Sequence, residues 1–432
     1  MQITTLIISI ISSILICFVK PIQALSIYLA IFLLYPQWLS VQIGTYDFTS
    51  GRILIIVIFL RHIVNINKIK HFKYNILDIF VLLYFINRFI ASSINIPFPE
   101  AVERESGRFV DIILVYFIAR FLITSKSEFI SIIKTLIWIA IPLALLGIYQ
   151  SLTGTNFYDF MLTYHAWESL SPYMVVRHGL YRANVNTDTS IIFGLFFAGI
   201  IPLILGLWKT GAISKIIILI LSCIALCGLI SSMSSAPLFS IVVSFLFLAL
   251  YPLRKYNLII IIYIMSTILF VEYYSNRHWY DVLSRFAFSS RTADYRIELI
   301  KEAFSGGMDN HWIAGWGYVG PYEDDETFPW EHKDMVNIYI GILAGSGLLG
   351  LIPYVLFNFF YYLKLYQAFK YSTSYSDKWL IWCLSSSLVG WNIAMLTTSM
   401  QQPLSSLFYL LIGVVGSLSI NSNSIKFHSI NC

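Results

Sequence analysis

The strongest constraint on the fold is the recurrence of long apolar runs from one end of the chain to the other. Each run has about 20 residues, the length with which an α-helix spans the hydrocarbon core of a bilayer. A membrane β-barrel would alternate apolar and polar residues in segments of about ten, and that pattern is absent. Only 12% of the residues are charged, against about 25% in soluble domains. The sequence therefore predicts an all-α, polytopic integral membrane protein.

The 13 candidate stretches predict about 12 transmembrane helices, give or take one. The first two are short and flank Pro21, so we expect them to form one hairpin. The N-terminal run ends at Lys20 with no small-residue cleavage site, which predicts a retained span and not a signal peptide. The candidate spans are 3–19, 22–40, 52–66, 76–94, 109–123, 128–151, 188–207, 212–231, 236–252, 257–274, 335–362, 379–398 and 403–420.

Lys and Arg in short loops predict which loops face the cytoplasm. The basic loops are 65–73, 209–215, 253–257 and 364–378. Alternation then places 275–334 outside the cytoplasmic membrane, as the one long periplasmic loop. We divide the chain into N-terminal transmembrane helices (1–174), a core with that loop (175–362), and C-terminal helices with a short tail (363–432).

The long loop contains a predicted amphipathic helix over 289–304. Its expected apolar face consists of Ile297, Leu299, Ile300, Ala303 and Phe304, and its expected polar face of Arg291, Arg296, Glu298, Lys301 and Glu302. The rest of the loop combines aromatic residues with carboxylates, a composition that suits a carbohydrate surface. The predicted glycan-binding residues are Trp316, Tyr318 and Trp330. The alternative is a folded loop resting on lipid headgroups, where Trp and Tyr are also enriched.

Three groups of arginines lie on the predicted outer side, against the usual bias of basic residues to the cytoplasm. They are Arg177 with Arg182, Arg291 with Arg296, and Arg104 with Arg108. A guanidinium makes a bidentate contact with a phosphate. Binding of a lipid pyrophosphate would therefore explain why these arginines lie on the outer side. The alternative is pairing with the nearby carboxylates of Glu103, Glu105, Asp294 and Glu298.

Polar residues precede the helix predicted to start at 335, and they form its mouth. His332 could accept a proton near neutral pH. Asp334 and Asn337 are three residues apart and would share a helix face, although Asp334 could equally cap the helix and complement its dipole. Gly341 and Gly345 have the spacing that lets helices approach closely.

Other site classes find little support in the sequence. It has no phosphate-binding glycine loop and no zinc motif, so we expect neither a metal nor another cofactor. Four of the five cysteines lie inside apolar runs and are assigned to packing. No basic stripe exists outside the short loops, which argues against nucleic acid as a partner.

Residues 175–360 resemble the bacterial O-antigen ligase and O-antigen polymerase superfamily of membrane glycosyltransferases. The resemblance rests on "RHGLYRANVNTDTS" before a span, the Ser-rich "SSMSSAP", "SSRTADYRIELIKEAF" with the following "GWGYVG", and "DMVNIYIGILAGSGLLGL". It implies a metal-independent enzyme of the inner membrane that acts on the periplasmic side in surface polysaccharide biosynthesis. The implied donor is a glycan on a polyprenyl (undecaprenyl) pyrophosphate.

The resemblance implies that arginines bind the pyrophosphate, which would fall on Arg291 and on Arg177 or Arg182, with Arg296 beside them. Ligases of the family carry a His directly before the Asn of the last motif, where this chain has Val336. His332 and Asp334 are the nearest substitutes, and this difference favours a polymerase over an O-antigen ligase that transfers to a lipid core. A chain-length regulator or another polysaccharide assembly protein is the expected protein partner.

Two further classes stay open from the sequence alone. A transporter or lipid-glycan flippase would place charges within its spans and show repeated halves, and no repeat is visible here. A non-catalytic assembly subunit would explain Val336 at the position of the ligase His.

Overall fold

The computed structural model describes residues 2–63, 74–162, 176–274, 278, 290–317, 335–421 and 424–427. This part of the chain is mostly helical, as the apolar runs predict. The α-helices are α1 (Gln2–Phe18), α2 (Pro21–Leu34), α3 (Ser50–Ile63), α4 (Ile76–Asn95), α5 (Phe98–Arg108), α6 (Val115–Leu122), α7 (Lys126–Thr153), α8 (Asp159–Leu162), α9 (Ser190–Gly206), α10 (Lys215–Ser231), α11 (Ser235–Ala249), α12 (Asn257–Tyr274), α13 (Ser290–Glu302), α14 (Ile338–Tyr371), α15 (Tyr375–Ala394) and α16 (Leu404–Ser417).

Shorter helical turns and small hairpins complete the described chain. Single π-helical turns follow α5 and α13, and 3₁₀ turns follow α9 and α11. Three two-stranded antiparallel hairpins depart from the predicted all-α class. Their strands are β1 (Ser40–Ile43), β2 (Tyr46–Thr49), β3 (Val176–Arg177), β4 (Leu180–Tyr181), β5 (Leu418–Asn421) and β6 (Ser424–Phe427).

Within the described residues, four helices have the length and apolar composition to cross a membrane. They are α4, α7, α14, and α9 with its 3₁₀ extension to Lys209. The helices α1, α2, α10, α11 and α16 are apolar but have 17 residues or fewer. The predicted hairpin of the first two runs corresponds to α1 and α2, which contact each other. The total of about 12 spans stays a prediction.

Helix starts follow local sequence signals. Pro21 occupies the first turn of α2, where its missing N–H costs nothing. Asn75 caps α4, since its side chain accepts hydrogen bonds from the N–H groups of Leu77 and Asp78. Ser125 and Glu128 form a reciprocal capping box at α7, which satisfies donors that lack intrahelical partners.

Small side chains hold the helices of the bundle close together. Ser244 of α11 donates to the carbonyl of Ser386 at 3.1 Å, and Ser386 of α15 donates back to the carbonyl of Ser244 at 2.8 Å. The indole of Trp391 lies against Gly199 of α9 and donates to the carbonyl of Leu195 at 2.7 Å. Such contacts replace the hydrophobic effect as the association force between helices in lipid.

The longest helix, α14, is broken at Gly347, whose backbone (φ 58°, ψ −157°) is not helical. Backbone N–H and carbonyl groups near the break form hydrogen bonds with the segment that follows α13. Trp316 N–H donates to the carbonyl of Ala344 at 2.7 Å, and Leu348 N–H donates to the carbonyl of Trp312 at 2.8 Å. Broken helices are tolerated in membranes only where protein or water satisfies the freed groups.

This arrangement also corrects the expected role of the glycine motif on α14. The spacing of Gly341 and Gly345 predicted a neighbouring helix. A Cβ at Gly345 would instead lie 2.9 Å from the carbonyl oxygen of Gly317, and the nearest neighbour of Gly341 is Met335. Gly345 and Gly347 therefore admit the backbone of a loop.

We expect Gly315→Ala to destabilise the protein by about 4 kcal/mol or more, since overpacked sites and strained backbones give the largest effects of single changes. Gly315 has φ +68°, and an added Cβ would lie 2.6 Å from backbone atoms of Ala344, Ser346 and Gly347. Gly44 is the matched control, because it has φ +66° with nothing within 4 Å. Gly44→Ala should cost only about 1–2 kcal/mol, the penalty of the left-handed conformation. Equal unfolding temperatures for the two purified variants would contradict the close backbone approach.

Candidate functional site

The β3–β4 hairpin carries the first two predicted phosphate-binding arginines. Its turn residues, His178 and Gly179, have positive φ of 51° and 81°, which suits a two-residue hairpin turn. The chain after the hairpin is held from two sides. Ala183 N–H donates to the carbonyl of Ser231 at 3.0 Å, and Gln150 Oε1 accepts from the backbone N–H groups at 184 and 185.

Both arginines contact the Ser-rich loop between α10 and α11. Arg177 Nη1 donates to the carbonyl of Met233 at 3.3 Å, and Arg182 Nη2 donates to Ser234 Oγ at 2.9 Å. Ser190 Oγ, in the first turn of α9, lies 3.2 Å from Ser234 Oγ. The N-terminal ends of α9 and α11 therefore meet beside these arginines.

These helix ends add to the positive potential of the site. Ser234 is the N-cap of α11, but its side chain makes no capping hydrogen bond. The N–H groups of Ser235 and Ala236 therefore lack intrahelical acceptors. Free N–H groups and the helix dipole favour an anion at such an end.

Arg296 completes a cluster with Arg177 and Arg182, which we call the arginine cluster. Burial lowers the pKa of Arg296 to about 10, and the positive charge of Arg177 contributes. Burial and the same charge also lower the pKa of Arg182 to about 10. The Nε atoms of Arg182 and Arg296 are buried without a hydrogen-bond partner in the described structure. The cluster thus concentrates positive charge that an anion would neutralise.

The position of Arg296 corrects the amphipathic pattern expected for α13. The pattern assigned Arg296 to the polar face, but only 6% of its surface is exposed. It lies on the buried face together with Leu299 and Ala303, whereas Phe304, expected on the apolar face, is 67% exposed. Among the described residues Arg296 has no carboxylate partner, and an unpaired buried guanidinium is costly, so Arg296 is a candidate for binding an anion.

Other arginines of the bundle have carboxylate partners. Arg120 pairs with Asp78 at 3.0 Å, Arg52 with Asp111 at 2.7 Å, and Arg88 with Glu105 at 3.6 Å. In the third predicted group, Arg108 contacts Glu105, one of the expected partners. Arg104 also forms an ion pair, but with Glu100 at 2.8 Å, which the sequence analysis did not name.

The arginine cluster differs from these pairs. Among residues 176–274, 290–317 and the other described stretches, no carboxylate forms an ion pair with any of its three members. Arg61 and Arg254 likewise form no ion pair among the described residues, but they donate to backbone carbonyls. The cluster differs from them in the buried Nε atoms of Arg182 and Arg296, which have no hydrogen-bond partner in the described structure.

At the mouth of α14, the helix begins at Ile338, three residues later than predicted, and its cap is Asn337. Asn337 Oδ1 accepts from the N–H groups of Tyr339 and Ile340, and its Nδ2 donates to the carbonyl of Leu396 at 2.9 Å. The cap position is therefore filled by Asn337, and the role of Asp334, which lies outside the described residues, stays a prediction. Val336 packs against a small apolar cluster that includes Met335.

Several predicted site residues fall outside the described part of the chain. They are His332, Asp334, Tyr318, Trp330 and the side chain of Arg291.

Trp316 is described and is partly buried. Its Nε1 donates to the carbonyl of Gly307 at 2.9 Å, and its indole stacks on the imidazole of His311 with ring centroids 3.4 Å apart. Its predicted role in glycan binding stays a prediction.

The sequence analysis missed two contacts, one at the arginine cluster and one beside Trp316. Ser234 was part of a noted Ser-rich motif, but only the fold brings it to Arg182. His311 gave no signal, because a lone His in a loop is usually a surface residue.

Within the described residues, no group of three His, Cys, Asp or Glu side chains lies close enough to hold a metal ion.

Comparison with known proteins adds one match. Among curated proteins, none matches this chain. The match is to a family model described as O-antigen ligase, and it covers residues 217–355. That stretch includes the Ser-rich loop, Arg296 on α13 and the mouth of α14, whereas Arg177 and Arg182 precede it. Residues 217–355 are therefore similar to the O-antigen ligase family, and the described part of the chain has four helices long and apolar enough to cross a membrane.

Proposed function

We propose that the protein is a glycosyltransferase that polymerises oligosaccharides carried on a polyprenyl pyrophosphate, on the periplasmic side of the bacterial inner membrane. The observation that supports this most is the arginine cluster. The charge of Arg177 acts on both Arg182 and Arg296, the Nε atoms of these two are buried without a hydrogen-bond partner, and no member forms an ion pair among the described residues. A pyrophosphate at the head of a membrane-embedded lipid has the charge and the location that such a cluster requires.

In the proposed reaction, the arginine cluster holds the pyrophosphate and stabilises the negative charge that develops as it leaves the sugar. Arg291, near the start of α13, would join it from the same helix as Arg296. Asp334, with His332 as the alternative, orients or deprotonates the acceptor hydroxyl. Asn337 fixes the start of α14 and thereby the mouth. No step requires a nucleotide sugar.

Polymerisation is favoured over transfer to a lipid core by the environment of Val336. A ligase of this family would carry a His at that position. The side chain of Val336 contacts the apolar cluster around Met335 and Ile340. A His at position 336 would therefore pack against apolar side chains, an environment that does not suit a proton acceptor. The ligase reaction remains the second candidate, because the matching family is described by it.

The function is tested with the purified full-length chain in lipid nanodiscs. A polyprenyl pyrophosphate-linked repeat unit is supplied without nucleotide sugar and in the presence of EDTA. We expect a ladder of longer lipid-linked glycans and release of polyprenyl pyrophosphate. Transfer of one glycan to an added lipid-core acceptor, without a ladder, would identify a ligase. No new glycosidic bond with either acceptor would overturn the proposal.

A further inference from the structure

His311 is held in a defined position on the segment that joins α13 to α14. Its imidazole stacks on the indole of Trp316 with an angle of 15° between the rings. The backbone around it is tied on both sides. His311 N–H donates to the carbonyl of Met308 at 2.8 Å, and Gly315 N–H donates to the carbonyl of His311 at 2.7 Å. Trp316 N–H in turn donates to Ala344 of α14, so the ring rests on a rigid support.

The hydrogen bond of one ring nitrogen defines what the other can do. His311 Nδ1 lies 2.9 Å from the carbonyl oxygen of Asp309. A carbonyl oxygen only accepts, so Nδ1 carries the proton in the neutral ring. Nε2 then has a free lone pair, and no described residue donates a hydrogen bond to it. A neutral imidazole in this tautomer is a proton acceptor.

The stack lies on the same side of α13 as the arginine cluster. Arg296, Leu299 and Ala303 are all buried, and their spacing puts them on one helix face. Leu299 and Ala303 share an apolar cluster with Met308, against which Trp316 packs. From Arg296 to Ala303 the helix advances about 10 Å. In an in-line displacement the leaving phosphate and the proton acceptor lie on opposite sides of the anomeric carbon, so a separation of this order along the helix fits the reaction.

We propose that His311 Nε2 accepts the proton of the acceptor hydroxyl in the glycosyl transfer. This inference rests on the proposed function. The acceptor oxygen forms a bond to the anomeric carbon while the bond from that carbon to the pyrophosphate oxygen breaks. The electron pair leaves with the polyprenyl pyrophosphate at the arginine cluster, and the hydroxyl proton moves to Nε2. In this scheme Asp334 orients the hydroxyl and does not accept its proton.

His311→Phe tests the proposal, because it keeps an aromatic ring on Trp316 and removes the proton acceptor. We expect the transfer rate to fall by about 10²-fold or more, with unchanged affinity for polyprenyl pyrophosphate. His311→Ala should lose as much, and added imidazole should restore part of its rate. The matched control is His278→Gln, since His278 is a half-exposed imidazole paired with Glu272 at 2.8 Å. Its rate should stay within about twofold of the wild-type rate.

The outcomes separate this inference from the function on which it rests. If the wild-type protein builds the glycan ladder and His311→Phe does so within threefold of its rate, the role of His311 is refuted and the function stands. If the wild-type protein forms no glycosidic bond, the function itself fails. Lost transfer with retained carrier binding in His311→Phe supports the proposal.

Discussion

Arg296→Met is expected to abolish polymer formation while leaving the protein at least as stable as the wild type. Removal of one preorganised donor to a developing negative charge costs about 10²–10³-fold in rate. The same change removes a buried charge that has no carboxylate partner among the described residues. We therefore expect the free energy of unfolding to rise by about 1–3 kcal/mol. The measurements are the ladder assay and thermal unfolding of the purified protein.

Two other arginines provide matched comparisons for Arg296. Arg120→Met removes one partner of the buried pair with Asp78, so it should cost about 3–5 kcal/mol of stability. Arg104→Met removes a partly exposed pair with Glu100 and should change stability by less than about 1 kcal/mol.

Arg296→Lys probes the geometry of the contact, because lysine keeps the charge but loses the two-pronged contact with phosphate. Its activity should fall between those of the wild type and Arg296→Met. A methionine variant that destabilises the protein as strongly as Arg120→Met, or that still builds the ladder, would contradict a role in anion binding.

Asp334→Asn is expected to lower the rate of glycan transfer by about 10²-fold or more. The substitution keeps the size and one acceptor oxygen but removes the charge that orients the acceptor hydroxyl. A capping role would predict the opposite, because Asn caps a helix about as well as Asp. Asn337 already caps α14, so a loss of activity could not be attributed to the helix end.

The comparison for Asp334 is His332→Ala, which should keep a substantial part of the activity. Both variants should bind polyprenyl pyrophosphate like the wild type, since the arginine cluster is intact in each. An Asp334→Asn protein that builds the ladder at the wild-type rate would remove Asp334 from the mechanism.

Hydropathy was sufficient to predict a mostly helical chain, because a membrane helix needs a run of apolar residues that is visible without tertiary information. It did not predict α5, which is not apolar. The arginines at 177, 182 and 296 were also predictable as a group, since basic residues on the predicted outer side require a reason. Which of the arginines are paired was not predictable. Arg104 and Arg296 both have carboxylates nearby in sequence, and only the fold shows that one pair forms and the other does not.

Other features depended on contacts that no local pattern encodes. The amphipathic pattern placed Arg296 toward water because charged residues usually face it. The spacing of Gly341 and Gly345 is typical of helix packing, but the neighbour is a loop. The stack of His311 on Trp316 joins residues of a segment without regular periodicity.

The break in α14 has a consequence for how the protein is made. The backbone of α14 near Gly347 is completed by residues 312–316, which leave the ribosome before α14 does. Without them, polar groups of α14 would face lipid unsatisfied, at a cost of several kcal/mol each. We therefore expect this helix to insert into the membrane and the preceding segment to fold against it at the same time. Chains that fail at this step should be removed by quality-control proteases and should not accumulate as intact but inactive enzyme.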